Sequence, residues 1–579
     1  MFHRYFPILH WSRAYSTSLF ADDALAAVIV TIMLVPQSLA YAMIAGLPPQ
    51  MGLYASIAPL IAYAVFGTSN TLAVGPVAVV SLMTASAVGR IVETGGADYI
   101  AAAAALAVIT GLILLVLGLA RLGFLANFLS HPIIAGFITA SGILIATNQA
   151  KHILGVSADG ENLLAILQSL ASQISQTNPI TLTVGAASIL FLVLTRLYLQ
   201  TLLHAAGIKA RLAASIAKAG PLIAVIGATA IVAGLSLDAK GVAIVGDIPR
   251  GLPPLTIPQF NPTLWSDLAG AAFLIAVIGY VESVSVAQTL AAKRRERIDL
   301  DQELIGLGAC NLAAGVSGGF PVTGGFARSV VNFDSGARTP AASAFTALGI
   351  ALAAFFLTPL IFYLPQATLA ATIIVAVLSL VNVRAIRETW AYSKSDFTAM
   401  AITIGGVFCF GVETGVVAGV AISILLLLYR ASRPHSAIVG QAPGTEHFRN
   451  IERHKVVTSP SVVSLRIDGN LFFANARVLE DRLLSIAADD LDVKHVVLMC
   501  SAVNEIDTSA LESLEAINDR LKDAGVVFHL SEVKGPVMDR LKRTHFLDHL
   551  TGRVFLSQYE AAHELDPETF TLPDRALSP

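Results

Sequence analysis

The chain has 579 residues, of which 55% are hydrophobic and only 13% charged, with a net charge of −3; soluble proteins are roughly one quarter charged. The first 433 residues carry 40 of the 77 charges and the last 146 carry 37, about 9% against about 25%. A single soluble fold is excluded, and a membrane body followed by a soluble tail is implied.

No basic run interleaved with aromatics is present, which argues against nucleic acid as a partner. Three scattered cysteines, Cys310, Cys409 and Cys500, argue against a disulfide framework or a cysteine metal site. Residues 1–20 mix aromatics with His3, Arg4, His10 and Arg13. They lack a long apolar core and a small-residue cleavage site, so the segment reads as an interfacial helix, not a signal peptide.

Apolar windows fall near 22–44, 50–67, 75–91, 99–119, 123–149, 180–200, 216–236, 265–291, 300–317, 322–333, 340–364, 366–381, 396–411 and 413–431. Fourteen spans put both termini on one side, and charge says which. Connections after even spans hold thirteen cations: Arg121; Arg196, Lys209, Arg211, Lys218; Lys293, Arg294, Arg295, Arg297; Arg338; Arg384, Arg387, Lys394. Those after odd spans hold Arg90, Lys151, Lys240 and Arg250. Both termini are therefore expected in the cytoplasm.

In the third window, TLAVGPVAVVSLM, Gly75 and Pro76 suit a helix that begins inside the membrane. In the tenth, SGGFPVTGGFARSVVNF, four glycines and Pro321 prevent regular helix until Gly324 or Gly325. These two features recur at nearly the offset that separates Gln37, beside Pro36 in the first window, from Glu282 in the eighth. Seven spans per half is an odd unit, so the second half is inverted relative to the first, as in secondary transporters with a midplane site between broken helices. The plain alternative is that Gly and Pro only ease tight packing.

Two half-helix N-termini facing one cavity trap an anion, because their first N–H groups are unpaired and their dipoles point positive end inward. Arg328 adds a cation there, with no acid before Asp334; its alternative is to snorkel to the interface. Gln37 and Tyr41, four apart on one helical face, can reach one ligand or bond a neighbouring helix. Glu282, the acid of its apolar stretch, is a functional candidate by its depth. Burial favours its neutral form and a nearby cation its charged form, so it can carry a proton or form a structural pair with Arg328.

At these residues the sequence resembles the SulP anion transporters, solute carrier family 26. The likeness covers 36–83, including LPPQMGLYAS, then GYVESVSVAQTLA, DQELIGLGACNLAAG and FARSVVN. It implies a core domain of spans one to four and eight to eleven that moves like an elevator against a gate of the other six. The implied anion pocket involves Gln37, Tyr41, Val77, Ala78, Gly324, Gly325 and Phe326, with Arg328 supplying positive potential and Glu282 at the position of proton coupling. Members with Ser before the arginine have Ala327 here, which leaves the anion less defined. A homodimer in the plasma membrane, bacterial inner membrane by expectation, without cofactor or metal, is also implied.

After Arg433, strands at 462–467, 494–500 and 525–533 alternate with helices near 477–488, 508–523 and 535–546, a small α/β domain. With NEIDTSALESL it resembles the STAS domain that ends such transporters. There Thr508 stands where related antagonists are phosphorylated, although Asp507 or Thr508 is equally a helix N-cap; a cytosolic partner of this domain is implied as well. The domain limits are then 1–20, 21–433 and 434–579. The reading is proton-coupled uptake of a small oxyanion, sulfate first, with bicarbonate, a dicarboxylate or passive anion exchange as alternatives. No hydrolytic triad, P-loop or zinc spacing points to an enzyme.

Overall fold

The computed structural model describes residues 5–571 apart from 93–96, 125–129, 159, 161, 208–218, 247–250, 256–260, 357–361, 380 and 490–491. The cations Lys209, Arg211, Lys218 and Arg250, used above to orient the chain, lie outside the described residues, as do His3 and Arg4. Two compact units meet in the chain at Ser423–Ile424.

Every apolar window contains a helix, all within the first unit except the last, Val412–Ser432, which runs across the boundary into the second. These are α1 (Thr17–Ile44), α2 and α3 (Gln50–Tyr54, Ala58–Phe66), α4 (Ala78–Gly89), α5 (Ala97–Leu119) and α6 (His131–Leu154). After α7 (Leu163–Gln173) come α8 (Pro179–Leu194), α9 (Gly220–Gly234), α10 (Pro262–Arg294) and α11 (Leu300–Val316). Then follow α12 (Phe326–Asp334), α13 (Ala341–Phe356), α14 (Gln366–Leu378), α15 (Val383–Tyr392), α16 (Lys394–Phe410) and α17 (Val412–Ser432). Two short strands, β1 (Val74–Gly75) and β2 (Thr323–Gly324), precede α4 and α12.

Two amphipathic helices, α7 and α15, were not visible as apolar windows. Each follows the fifth span of its half, a second sign of the inverted repeat. Their polar residues lower the mean hydropathy although one face of each remains apolar. The expected interfacial helix is reduced to Ile8–Trp11 and a 3-10 turn over Ser12–Ala14, and α1 then starts at Thr17 with the Ser16 hydroxyl accepting from Leu19 N. The Trp11 indole donates to Ala64 O at 3.2 Å.

The helices pack in two groups. In one, α5 lies on α11 and α10, α11 on α3, and α13 and α12 on α1. In the other, α6 packs on α14 and α16, and α8 on α14. Apolar surface does not drive helices together within lipid, so close backbone approach through small residues must. A Cβ on Gly111 would sit 2.8 Å from Gly308 O, and one on Gly315 2.9 Å from Ala104 O.

Among the described residues the tightest approach lies inside the LPPQMGLYAS motif. A Cβ on Gly52 would fall 1.8 Å from the Ser38 carbonyl oxygen, and the nearby Ser38 and Ser56 hydroxyls bond at 2.7 Å. Backbone cannot yield as a side chain tip can. Gly52→Ala is therefore expected to cost about 3 kcal/mol or more, read as a lower melting temperature and reduced monodispersity in detergent. An unchanged melting curve would contradict the packing.

The second unit is a six-stranded sheet flanked by helices, in the order β4-β3-β5-β6-β7-β8. Its strands are β3 (Ser436–Gln441), β4 (Phe448–Asn450), β5 (Val462–Ile467), β6 (His495–Met499), β7 (Val527–Ser531) and β8 (Val554–Phe555). β5 to β8 run parallel, and β3 is antiparallel to β4 and β5. The predicted strands correspond to β5, β6 and β7; β3, β4 and β8 are additional. Of the predicted helices, 508–523 matches α19 (Thr508–Asp523) and 477–488 matches α18 (Ala476–Asp489), while 535–546 shortens to α20 (Gly535–Leu541). Asp507 caps α19, accepting from Ala510 N at 2.8 Å and Phe473 N at 2.9 Å. Thr508 is the first residue of that helix and is exposed.

Candidate anion site

The site is assembled from α1, the two broken segments and α10. β1 and β2 pair antiparallel, Val74 with Gly324 and Gly75 with Thr323. After them α4 begins at Ala78 and α12 at Phe326, where the proline and glycines release the chain into helix. Side chains fasten the crossing. Ala73 N donates to Ser329 Oγ (3.0 Å), Gly325 N to Ala73 O (3.1 Å) and Asn332 Nδ2 to Thr71 O (3.1 Å). Asn311 exchanges two 2.9 Å bonds with the Val322 peptide, standing in for a neighbouring strand.

Neither helix start has a side-chain cap or an acid in its first turn. The first N–H groups of such helices lack intrahelical acceptors, and those of Ala78 to Val80 and Phe326 to Arg328 find none among the described residues. Both starts open on one cavity of about 460 Å³, lined by Gln37, Tyr41, Val77, Ala78, Glu282, Ser285, Gly325, Phe326, Ala327 and Arg328. Its far wall belongs to α6 and α14, with His131, Ser379 and Asn382 among its lining.

Arg328 does not snorkel: it is 1% exposed. Nη2 donates to Thr323 O at 3.4 Å, while Nε and Nη1 have no partner. Glycines leave room for the guanidinium, since a Cβ on Gly75 would be 2.7 Å from Nη1 and one on Gly325 2.8 Å from Nε. A buried, half-unpaired guanidinium carries a desolvation cost of several kcal/mol, which an anion in the cavity would offset. Glu282 does not offset it: Oε2 is buried without a partner, and no Glu282–Arg328 ion pair forms.

Seven of the eight expected binding residues line the cavity, together with Glu282. Gly324 does not. Its N–H donates to Ser283 Oγ at 2.8 Å, and a Cβ there would meet Leu72 at 2.6 Å. Gln37 and Tyr41 make no side-chain hydrogen bond to a neighbouring helix among the described residues, which leaves their polar ends to the cavity. Sequence reading missed the clamp of Ser283, Thr323, Asn311 and Ser329, whose signal was the density of small polar residues in apolar helices. It also missed Glu303, fully buried on α11, whose carboxylate accepts from Tyr63 Oη at 2.8 Å, Thr68 N at 2.7 Å and Thr68 Oγ1 at 2.6 Å. Those bonds make Glu303 a structural anchor. No three-residue metal cluster occurs among the described residues.

The profile of the sulfate permease family matches residues 20–403, and that of the STAS domain residues 453–561. The chain is 36% identical over 561 residues to a chloroplastic sulfate transporter 4.1 of Arabidopsis thaliana, covering 95% of this chain and 80% of that one. It is 34% identical over 541 residues to a probable sulfate transporter of Mycobacterium tuberculosis, with 93% and 94% covered. Its fold is similar to that of the murine solute carrier 26 family member A9 anion transporter in the inward-facing state, with TM-score 0.86, 23% identity, and 97% and 94% covered. The transmembrane domain of a cyanobacterial bicarbonate transporter aligns with TM-score 0.59 at 20% identity, covering 71% of this chain and 98% of that one. The broken helices, their shared cavity and this match over most of the chain lead to one conclusion: the protein is a multi-pass anion transporter of the sulfate permease family that ends in a STAS domain.

Proposed function

We propose that the protein takes up a small oxyanion, sulfate before others, together with protons, by moving one helix group as a rigid body against the other. The observation that carries the substrate class is the unpaired, fully buried Arg328 guanidinium between two uncapped helix starts. Sulfate is favoured because its oxygens can accept from both N-termini and the guanidinium at once, and because the curated relatives are named sulfate transporters. The rigid-body motion is supported by the cavity's position on the seam between the groups: the anion-holding face comes from α1, α4, α10 and α12 and the opposing wall from α6 and α14. Glu282, half-buried on that seam with an unpaired oxygen, is the proton carrier. The protein works in the plasma membrane with both termini in the cytoplasm, as a homodimer, and the exposed Thr508 is available for regulatory phosphorylation.

The test is uptake of labelled sulfate into proteoliposomes with an inward proton gradient, challenged with unlabelled bicarbonate, chloride and a dicarboxylate. The expected result is gradient-stimulated uptake that only sulfate-like oxyanions suppress. Stronger suppression by bicarbonate or the dicarboxylate would overturn the choice of sulfate, and indifference to the gradient would overturn proton coupling.

A further inference from the structure

The seam between the two helix groups holds a second cavity at its other end. It measures about 530 Å³, and three of the helices that line the anion site, α1, α4 and α6, also line it, further along. On α1 the lining passes from Tyr41 to Met43, on α4 from Val79 to Leu82, and on α6 Ile145 faces one cavity and Leu144 the other. At 1.5 Å per residue, the one to three residues between the two linings make a septum less than one helical turn thick. The inner cavity is lined at α6's start and α14's end by His131 and Asn382, on the side of the even-numbered connections. The second cavity is lined by Arg90, Lys151 and His152, on the opposite side.

An ion pair crosses the seam there, because α17 packs closely on α16 of the second group, where a Cβ on Gly406 would lie 2.8 Å from Gly415 Cα. Arg90, at the end of α4, bonds Glu413 in the first turn of α17: Nη1 lies 3.0 Å from Oε2, and Nη2 donates to Ser86 Oγ at 3.0 Å. The arginine side chain is 49% exposed and the glutamate 12%. Glu413 Oε1 is buried without a partner. The carboxylate is thus held on one oxygen only, by a cation that the outer solution can reach.

We propose that Arg90 receives the incoming oxyanion at the outer side and that Glu413 holds it, and with it the outer seam, closed while the inner cavity is open. An arriving oxyanion and Glu413 compete for one guanidinium. Replacing Glu413 by the anion unties α4 from α17, so the arrival of substrate and the release of the outer seam are one exchange of partners. The inference rests on the motion of the two groups proposed above.

The experiment uses the full chain in intact cells, with Cys409→Ser to remove an exposed thiol and Ala85→Cys in the outer cavity as reporter. A membrane-impermeant maleimide outside measures opening, and labelled sulfate outside gives the half-saturating concentration. Glu413→Gln and Arg90→Gln should both speed labelling by about two- to fivefold, the range expected for loss of a partly exposed pair. They should shift half-saturation in opposite directions: down for Glu413→Gln, which frees Arg90, and up for Arg90→Gln. Arg90→Lys, which keeps the charge but not the second nitrogen that bonds Ser86, should fall between wild type and Arg90→Gln in both readouts, and the doubly swapped Arg90→Glu with Glu413→Arg should restore slow labelling. Unchanged labelling in well-expressed variants, or shifts of half-saturation in the same direction, would overturn the proposal. If labelling in the otherwise wild-type reporter ignores whether sulfate is inside or outside, the group motion itself fails.

Discussion

Arg328→Ala should abolish measurable sulfate binding while leaving the anion-free protein as stable as wild type or more so. The variant removes a cation that is 1% exposed and has two unpartnered nitrogen positions. Charge-assisted hydrogen bonds are worth about 1.5–3 kcal/mol each; a combined loss of about 3 kcal/mol corresponds to more than a hundredfold in affinity. On the folding side the sign reverses, because the substitution removes a buried charge that nothing in the chain fully pairs. The measurement is the melting temperature with and without sulfate. Wild type should be stabilised by the anion; Arg328→Ala should show no shift, with an anion-free melting temperature no lower than wild type. A full sulfate-induced shift in the variant would remove Arg328 from the site.

Glu282→Gln should separate transport from its driving force. The amide keeps the shape of the protonated acid and cannot change charge. If the acid is protonated when anion and proton move together, the variant holds that state permanently, binds sulfate, and retains sulfate–sulfate exchange at least in part. Stimulation of uptake by an inward proton gradient should disappear. The comparison is labelled-sulfate uptake at matched outside pH, with and without the gradient, in wild type and variant. Equal stimulation in both would mean that Glu282 does not couple the proton. An ion pair with Arg328 would then be the remaining role, although none forms in this conformation.

Much of the fold was legible because bilayer spans announce themselves by hydropathy, and the broken ones by the residues that break them. Pro76 and the glycine run before Phe326 place the starts of α4 and α12 within two residues of where the structure has them. Two residues of the cavity lining were legible for a related reason: Arg328 and Glu282 are charges where charge is costly. What stayed hidden depends on partners distant in sequence. Gly324 looked like a ligand residue, but its N–H is taken by Ser283, 41 positions away. Glu303 drew no separate reading, and only folding reveals the Tyr63 and Thr68 donors that hold it. In the second unit, β4 and β8 are two or three residues long, too short for alternation to register.

The pairing of Val74 and Gly75 with Gly324 and Thr323 bears on which ions the protein can tell apart. It ties the chain entering one helix start to the chain entering the other, in a place where a broken backbone hydrogen bond finds no water to replace it. The gap between the two N-termini is therefore a ruler, set by main-chain pairing and by the side chains that clamp it, Ser283, Asn311, Ser329 and Asn332. In the anion site proposed above, discrimination by ionic radius would belong to that ruler, while Gln37, Tyr41 and Ala327, which line the cavity, would adjust how firmly an ion is held.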